Sequence, residues 1–204
     1  MAIFRPQAAS GGGSYLGYQV CGIESFEDKS DRFDWADVYI TVNLKMENSQ
    51  YIQPMQISGS FDREPDNTIK DCTLLRRLYY LFDALGFQGG VTKEGNFEDA
   101  DGKPIEDIVS YLEDVYTPQF PSEPSMDYLA YVYKELNKKD GKAYTRVVPK
   151  LVRNSASEKK DFEGYINFCI GKGVIVEHDE NATPSTTQGS ASPSVGGSTQ
   201  TSSF

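Results

Sequence analysis

The stretch DYLAYVYKELNKKDGKAYTRVVPKLVR, residues 127–153, decides the fold of this chain. Two alternating segments flank residues 137–141, and an Asp-Gly pair between such segments is a strong signal for a β-hairpin. Residues 134–160 hold nine Lys or Arg against three Asp or Glu, although the whole chain has a net charge of −10. The sequence therefore predicts a basic, tyrosine-rich hairpin in an acidic protein.

Pairing Leu136 with Lys142 sorts the side chains of this hairpin into two faces, which a slip of one residue would exchange on one strand. One face is polar and basic and carries Tyr128, Lys134, Tyr144, Arg146 and Lys150. The other face is apolar and carries Leu129, Tyr131, Tyr133, Val147 and Leu151. Two interpretations follow. The lysines protect an edge strand from aggregation, or the basic face binds a polyanion and offers rings for stacking.

Residues 35–46 show the clearest alternation in the chain. The even positions are all apolar, and the odd positions are polar or aromatic, which predicts a strand with one face in the core and one face in water. The wet face carries Trp35, the only tryptophan, and Tyr39. These rings are either ordinary surface aromatics of a sheet or a stacking platform.

The remaining segments complete a β-rich pattern. Residues 15–24 predict a strand whose Gly17 and Gly22 favour the bulges and coiling of small barrels. Residues 51–61 predict the second strand of a hairpin, with Pro54 at an edge or a bulge. Residues 89–103 predict a surface turn, and 174–176 a short last strand.

Three helices are also predicted. The first has apolar residues at spacings of three and four and ends at Gly86. Its other face carries Arg76, Arg77 and Tyr80, which are either simply solvated or an extension of a basic surface. A short helix covers residues 104–112, and a capping box at Ser155 opens the last helix.

This order of elements predicts a mainly β protein with helices. We expect an OB-like five-stranded Greek-key β-barrel, with a helical insertion after strand 3 and a C-terminal helix. A plain α+β sandwich is the alternative. We expect a flexible arm over residues 1–13, one domain over residues 14–177, and a disordered tail rich in Ser, Thr, Gly and Pro over residues 178–204.

Composition argues against several classes of protein. No apolar run approaches the roughly 18 residues of a membrane helix, and the N-terminus lacks a signal-peptide core, so we expect a soluble cytosolic protein. Cys21, Cys72 and Cys169 are far apart, which disfavours a disulfide framework or a zinc site. His178 is the only histidine, which disfavours a Ser-His or Cys-His nucleophile. We expect no cofactor and no enzymatic activity.

Five phrases carry a family resemblance: GIESFEDK, WADVYITVNL, LLRRLYYLFDALGF, GKPIEDIVSYL and DYLAYVYKELNKKDGKAYTRV. Over residues 15–176 the chain resembles bacteriophage single-stranded-DNA-binding proteins of the OB-fold type. The resemblance implies sequence-independent binding of single-stranded DNA in phage DNA replication, recombination or repair. It places the protein in the cytoplasm of the infected bacterial host, where it could form a homo-oligomer.

The resemblance also implies contacts between the C-terminal tail and phage replication proteins, such as a polymerase, helicase or recombinase. Phe204 would dock on such a partner. This tail departs from the family pattern because it lacks the acidic run that precedes the terminal residue.

Single-stranded DNA needs rings for its bases and cations for its phosphates. The candidate rings are Trp35, Tyr39 and Tyr144. The candidate cations are Lys134, Lys138, Lys139, Lys142, Arg146 and Lys150. We expect Trp35, Tyr39, Tyr144 and Arg146 to share one face of the barrel.

Two other functions are compatible with the sequence. One is a protein–protein interaction module, in a virion or an inhibitory complex, that does not bind nucleic acid. The other is a carboxylate-metal nuclease, for which acidic residues are plentiful but no characteristic spacing is present.

Overall fold

The computed structural model describes residues 16–47, 49, 51–117 and 124–177. The predicted arm and tail, with Phe204, lie outside the described residues. The strands are β1 Gly17–Asp28, β2 Val38–Met46, β3 Ile52–Gly59, β4 Gly90–Val91, β5 Phe97–Glu98, β6 Pro104–Ile105, β7 Tyr128–Leu136, β8 Ala143–Val147 and β9 Val152–Arg153. The helices are α1 Thr73–Leu85, α2 Ile108–Tyr116 and α3 Ala156–Gly171, with a 3-10 turn at Ser30–Arg32.

The main sheet has the strand order β3-β2-β1-β7-β8, and β9 also pairs with β7. All its ladders are antiparallel. The long strand β1 pairs with β7 through residues 17–21 and with β2 through residues 21–28, with a shift of register between Ile23 and Ser25. A strand shared in this way curls the sheet, because bulges bend a strand and increase its twist. The prediction of a mainly β protein with helices is confirmed.

The two edges of the curled sheet are β3 and β8. Their Cα atoms approach within 8 Å of each other, but no hydrogen-bonded ladder joins them in the described part of the chain. The sheet is therefore not closed into a barrel, in contrast to the prediction. Pro54 lies on β3, at an edge of the ladder order, where proline is best tolerated in a sheet.

The main core lies on the inner side of the sheet. The even positions of β2 face it, as their alternation predicted, and Ile40, Val42 and Leu44 are fully buried there. Gly22 is required at a crossing of the chain. A β-carbon at this position would collide with the carbonyl oxygen of Ser125 and lie 2.9 Å from Cβ of Pro124.

Helix α1 covers this core with the predicted apolar positions, including Leu74, Leu78, Leu81 and Phe82. It ends at Gly86, whose φ of 74° lies in the left-handed region that favours glycine. No side chain of the described residues caps its N-terminus.

The starts of the other two helices follow their capping residues. Helix α2 begins after Asp107, whose carboxylate accepts hydrogen bonds from the backbone N–H groups of Val109 and Ser110 at 3.0 Å each. The prediction that α2 starts at Pro104 is wrong, because Pro104 belongs to β6. Helix α3 begins after Ser155, as the capping box predicted, and the Ser155 hydroxyl accepts from the Glu158 N–H at 3.3 Å.

A second, smaller core lies on the outer side of β7. Phe162 and Ile166 of α3 pack there with Leu129 and Tyr131. Strand β7 is therefore covered on both faces. The predicted strand at residues 174–176 is absent from the described residues, and the predicted turn over residues 89–103 contains the small three-stranded sheet β4-β5-β6.

Candidate nucleic-acid interface

The register of the β7–β8 hairpin differs from the predicted one by one residue. Leu136 pairs with Ala143 rather than Lys142, and Tyr133 pairs with Arg146. The Asn137 N–H donates to the Lys142 carbonyl oxygen at 2.8 Å, so the loop of the hairpin is residues 138–141 rather than the predicted 137–141. A shift of one residue changes which side chains share a face.

The predicted basic face is consequently divided between the two sides of the sheet. Lys134 pairs with Thr145 and lies on the inner side, the side of Val132 and Val147, and Tyr128 lies there as well. Tyr144 and Arg146 lie on the outer side, opposite Glu135 and Tyr133 respectively. Lys134 and Tyr128 therefore do not accompany Tyr144 and Arg146, in contrast to the prediction.

The side chains on the outer side of the hairpin form hydrogen bonds and a cation–π contact with one another. The Arg146 guanidinium donates to the Glu135 carboxylate at 3.1 Å and lies 6.0 Å from the centre of the Tyr144 ring. The Tyr144 hydroxyl donates to the Asp140 carboxylate at 2.6 Å. This hydrogen bond lowers the pKa of Asp140, because it stabilises the charged form. Arg146 is thus a partly neutralised cation whose ring neighbour is held in place.

The tip of the hairpin carries the accessible positive charge. Lys138, Lys139 and Lys142 are exposed, and none of them forms an ion pair within the described residues. Gly141 adopts a φ of 69° in this turn, and the Lys142 N–H donates to the Asp140 carboxylate at 3.0 Å. A turn fixed by such bonds presents three lysines that can contact phosphates.

Lys150 lies away from the hairpin tip, between α1 and α3. Its Nζ atom is 4.2 Å from the centre of the Tyr80 ring and 4.4 Å from that of Tyr165. Burial between the rings lowers the pKa of Lys150, since desolvation disfavours its charged form. Its predicted position on the basic face with Tyr144 is therefore wrong, and its ammonium group already has aromatic partners.

An aromatic cluster stands at the turn between β1 and β2. The Phe33 and Tyr39 rings stack with centres 4.7 Å apart and an interplanar angle of 18°. The Trp35 ring lies 5.7 Å from Phe33 and 6.1 Å from Tyr39. Trp35 is 56% exposed, whereas Tyr39 is buried. Trp35 therefore exposes its ring to solvent and contacts the rings of Phe33 and Tyr39.

The turn is fixed to β2 by hydrogen bonds. The Tyr39 N–H donates to the Ser30 hydroxyl at 2.9 Å, and the Lys29 N–H donates to the Tyr39 carbonyl oxygen at 2.8 Å. The predicted strand began at Trp35, but β2 begins at Val38 and Trp35 belongs to the turn. Phe33 was not among the predicted site residues. Its spacing of two from Trp35 continues the same alternation and could have identified it.

The outer side of β2 is less open to water than its polar residues predicted. Thr41 is 1% exposed, and its hydroxyl has no hydrogen-bond partner among the described atoms. Asn43 donates to the Ser25 hydroxyl at 2.9 Å and to the Glu27 carboxylate at 2.6 Å. On the neighbouring strand β3, Gln56 pairs with Thr41 and is exposed. This part of the sheet is polar and offers amide groups rather than rings.

The ladders fix the relation between the two ends of the candidate interface. Tyr39, Tyr144 and Arg146 all lie on the outer side of the sheet, and Trp35 adjoins Tyr39. Strand β3 lies between β2 and β8. The interface therefore consists of an aromatic turn, a polar strand surface and a basic hairpin tip.

No protein-family model, curated protein or solved structure matches this chain. Within the described residues, no group of three or more His, Cys, Asp or Glu side chains is placed to hold a metal ion. None of the helices in the described ranges combines the length and apolar character needed to cross a membrane.

Proposed function

We propose that this chain binds single-stranded DNA without sequence preference, on an OB-like domain. The observation that carries the proposal is the combination of an exposed Trp35, in contact with two other rings at one turn, with three lysines at another turn that form no ion pair within the described residues. Rings stack on bases of any sequence, and lysines contact the phosphates between them. The arrangement suits a ligand that alternates flat bases and negative charges.

The order of the strands supports an OB-like domain. Strands β1, β2, β3, β7 and β8 would be its five strands, with β1 shared between β2 and β7 and α1 inserted after β3. The antiparallel ladders make β3 and β8 run in the same direction on either side of the gap. In OB-folds, oligonucleotides bind the face of strands 2 and 3 and the loops between strands 1 and 2 and strands 4 and 5. Those loops correspond here to the Trp35 turn and the lysine tip.

The biological setting follows from the family resemblance and is part of the proposal. The protein would act in phage DNA replication, recombination or repair in the cytoplasm of the infected host. Its partners would include phage replication proteins, and Phe204 would be the contact residue. We propose no catalytic step and no cofactor.

Binding of a fluorescein-labelled oligo-dT, followed by fluorescence polarisation, tests this proposal. Trp35→Ala should weaken binding by about 5- to 150-fold, because stacking of one base contributes about 1–3 kcal/mol. Tyr51→Ala is the matched control, since Tyr51 is 76% exposed and follows the opposite end of β2. Equal loss in both variants, or no binding by the unaltered protein, would contradict the proposal.

A further inference from the structure

A groove lies between α1 and α3 and is lined by Arg77 and Tyr80 of the first helix and by Tyr165 and Phe168 of the second. Its deeper part is a cavity of about 320 Å³, at the lower end of the size range of ligand pockets. Val174 lines this cavity and also a second hollow of about 330 Å³ beside Leu136 and Lys138 of the hairpin. The two hollows are therefore neighbours, and the second is also lined by the acidic residues Glu135 and Glu177.

The lip of the groove is apolar and exposed. Phe168 is 60% exposed, Val174 69% and Val176 64%, and Leu136, which is 44% exposed, also lines the second hollow. Clusters of exposed apolar side chains rimmed by polar ones mark sites of protein interaction. Three of these four residues are aliphatic, which suits an apolar side chain better than a nucleobase.

The groove also contains an uncompensated positive charge. The Arg77 guanidinium lines the deeper cavity, donates to the Ser58 carbonyl oxygen at 3.2 Å, and forms no ion pair within the described ranges. Arg76 lies beside it and is paired with Asp71. The Lys172 ammonium lies 5.9 Å from the Phe168 ring centre on the lip. A carboxylate entering the groove would meet the Arg77 cation without displacing an acidic partner.

The tyrosines of the cavity are not free stacking platforms. Lys150 lies over the Tyr80 and Tyr165 rings, and these rings pack edge to face with centres 5.6 Å apart. A nucleobase would have to displace Lys150 to stack there. The groove therefore differs from the Trp35 turn, where an exposed ring is available to the ligand.

We propose that this groove binds a peptide segment of a partner protein that combines acidic side chains with an apolar anchor. The anchor would pack between Phe168 and Val174, and a neighbouring carboxylate would pair with Arg77. Among the described residues no Asp or Glu lines the cavity of about 320 Å³, so the Arg77 cation favours an acidic segment there, and the apolar residues of the lip favour the anchor. The two proposed sites share only Lys138, which lines the second hollow and not the cavity that holds Arg77.

Fluorescence polarisation of synthetic peptides tests the inference. The probe is a panel of short fluorescein-labelled peptides in which Glu and Asp alternate with Leu and Phe. One control panel replaces Glu and Asp by Gln and Asn, and another replaces Leu and Phe by Ser. We expect saturable, salt-sensitive binding of the first panel only. Absence of saturation at millimolar peptide, or equal binding of all three panels, would overturn the proposal.

Variants locate the binding site. Phe168→Ser, Val174→Ser and Arg77→Gln should each raise the Kd about tenfold, as loss of a central contact does. Val115→Ser on α2 is the matched control for the exposed valine, and Lys93→Gln controls for loss of one positive charge. Both controls should leave the Kd unchanged within about twofold.

Other occupants would give different results. If Phe168→Ser and Val174→Ser weaken oligo-dT binding and no peptide binds, the groove belongs to the nucleic-acid path and the proposal is wrong. If these variants abolish self-association in sedimentation experiments and no peptide binds, a second copy occupies the groove and the proposal is equally wrong. Peptide binding by a protein that fails to bind oligo-dT would support this inference while contradicting the proposed function.

Discussion

The lysines at the tip of the β7–β8 hairpin provide a quantitative test of the DNA interface. We consider the variant in which Lys138, Lys139 and Lys142 are all replaced by Gln. Each phosphate contact on a single strand contributes about 0.7 to the slope of log K against log salt concentration. Because all three lysines are exposed and without ion pairs in the described residues, the variant should lower this slope by about 2.

The change in slope translates into a measurable difference in affinity. Between about 50 and 200 mM salt, the unaltered protein should lose about 20-fold more affinity for oligo-dT than the variant loses. Polarisation titrations at four or more salt concentrations measure both slopes. The matched control replaces Lys93, Lys103 and Lys160 by Gln; these lysines are exposed, lie outside the hairpin and form no ion pair within the described residues.

Three results would contradict this prediction. Identical slopes for the unaltered protein and the hairpin variant would show that the tip lysines do not contact phosphates. An equal effect of the control triple would show that overall charge, rather than the hairpin, governs binding. A loss restricted to particular base sequences would contradict binding without sequence preference.

Three further predictions concern the fold and its local chemistry. Gly22→Ala should lower the free energy of unfolding by about 1–3 kcal/mol or more in urea denaturation, because its β-carbon would collide with the backbone of Ser125. Gly164→Ala is the control in α3, where a β-carbon meets nothing within 4 Å. This variant should raise the free energy of unfolding by about 0.5–1 kcal/mol. Asp107→Ala should lower it by about 1 kcal/mol at neutral pH. Hydrogen bonds to the carboxylate lower the pKa of Asp107 in the folded protein. The contribution of Asp107 to the free energy of unfolding should therefore be complete above the ordinary pKa of Asp and disappear as the pH falls through the lowered pKa. Asp107→Asn should abolish this pH dependence. Tyr144→Phe should raise the pKa of Asp140 towards its ordinary value in an NMR titration, and an unchanged pKa would contradict the hydrogen bond.

Several elements could be predicted from the sequence because their signals are local. The apolar face of β2 follows from an alternation of period two that continues through the whole strand. The end of α1 follows from Gly86, since few other residues adopt a positive φ at low cost. The start of α3 follows from the hydroxyl of Ser155. Each of these features depends on neighbours within one or two turns of the chain.

The hairpin faces could not be predicted reliably, because they depend on the length of the turn. The tip closes through Asn137 and Lys142, and this single extra pair moves Lys134 to the inner side. The sequence contains the Asp-Gly signal but does not state which flanking residues pair. A shift of one residue then changes every cross-strand neighbour.

The surroundings of Lys150 and the groove depend on contacts between distant segments. Tyr80 and Tyr165 are separated by most of the domain in sequence, and only the packing of α1 and α3 places Lys150 between them. The small sheet β4-β5-β6 was missed for another reason. Its strands have two residues each, which is too short for any alternation to be visible.

Fluorescence of Trp35 during titration with oligo-dT tests directly whether this ring stacks on the bases of single-stranded DNA. Trp35 is the only tryptophan in the chain, so any change in emission reports on the proposed stacking ring itself. The proposed interface predicts saturable quenching by oligo-dT, with an affinity that falls as salt is raised. Unchanged emission at saturating oligo-dT, together with no shift of the labelled strand in electrophoresis, would contradict it.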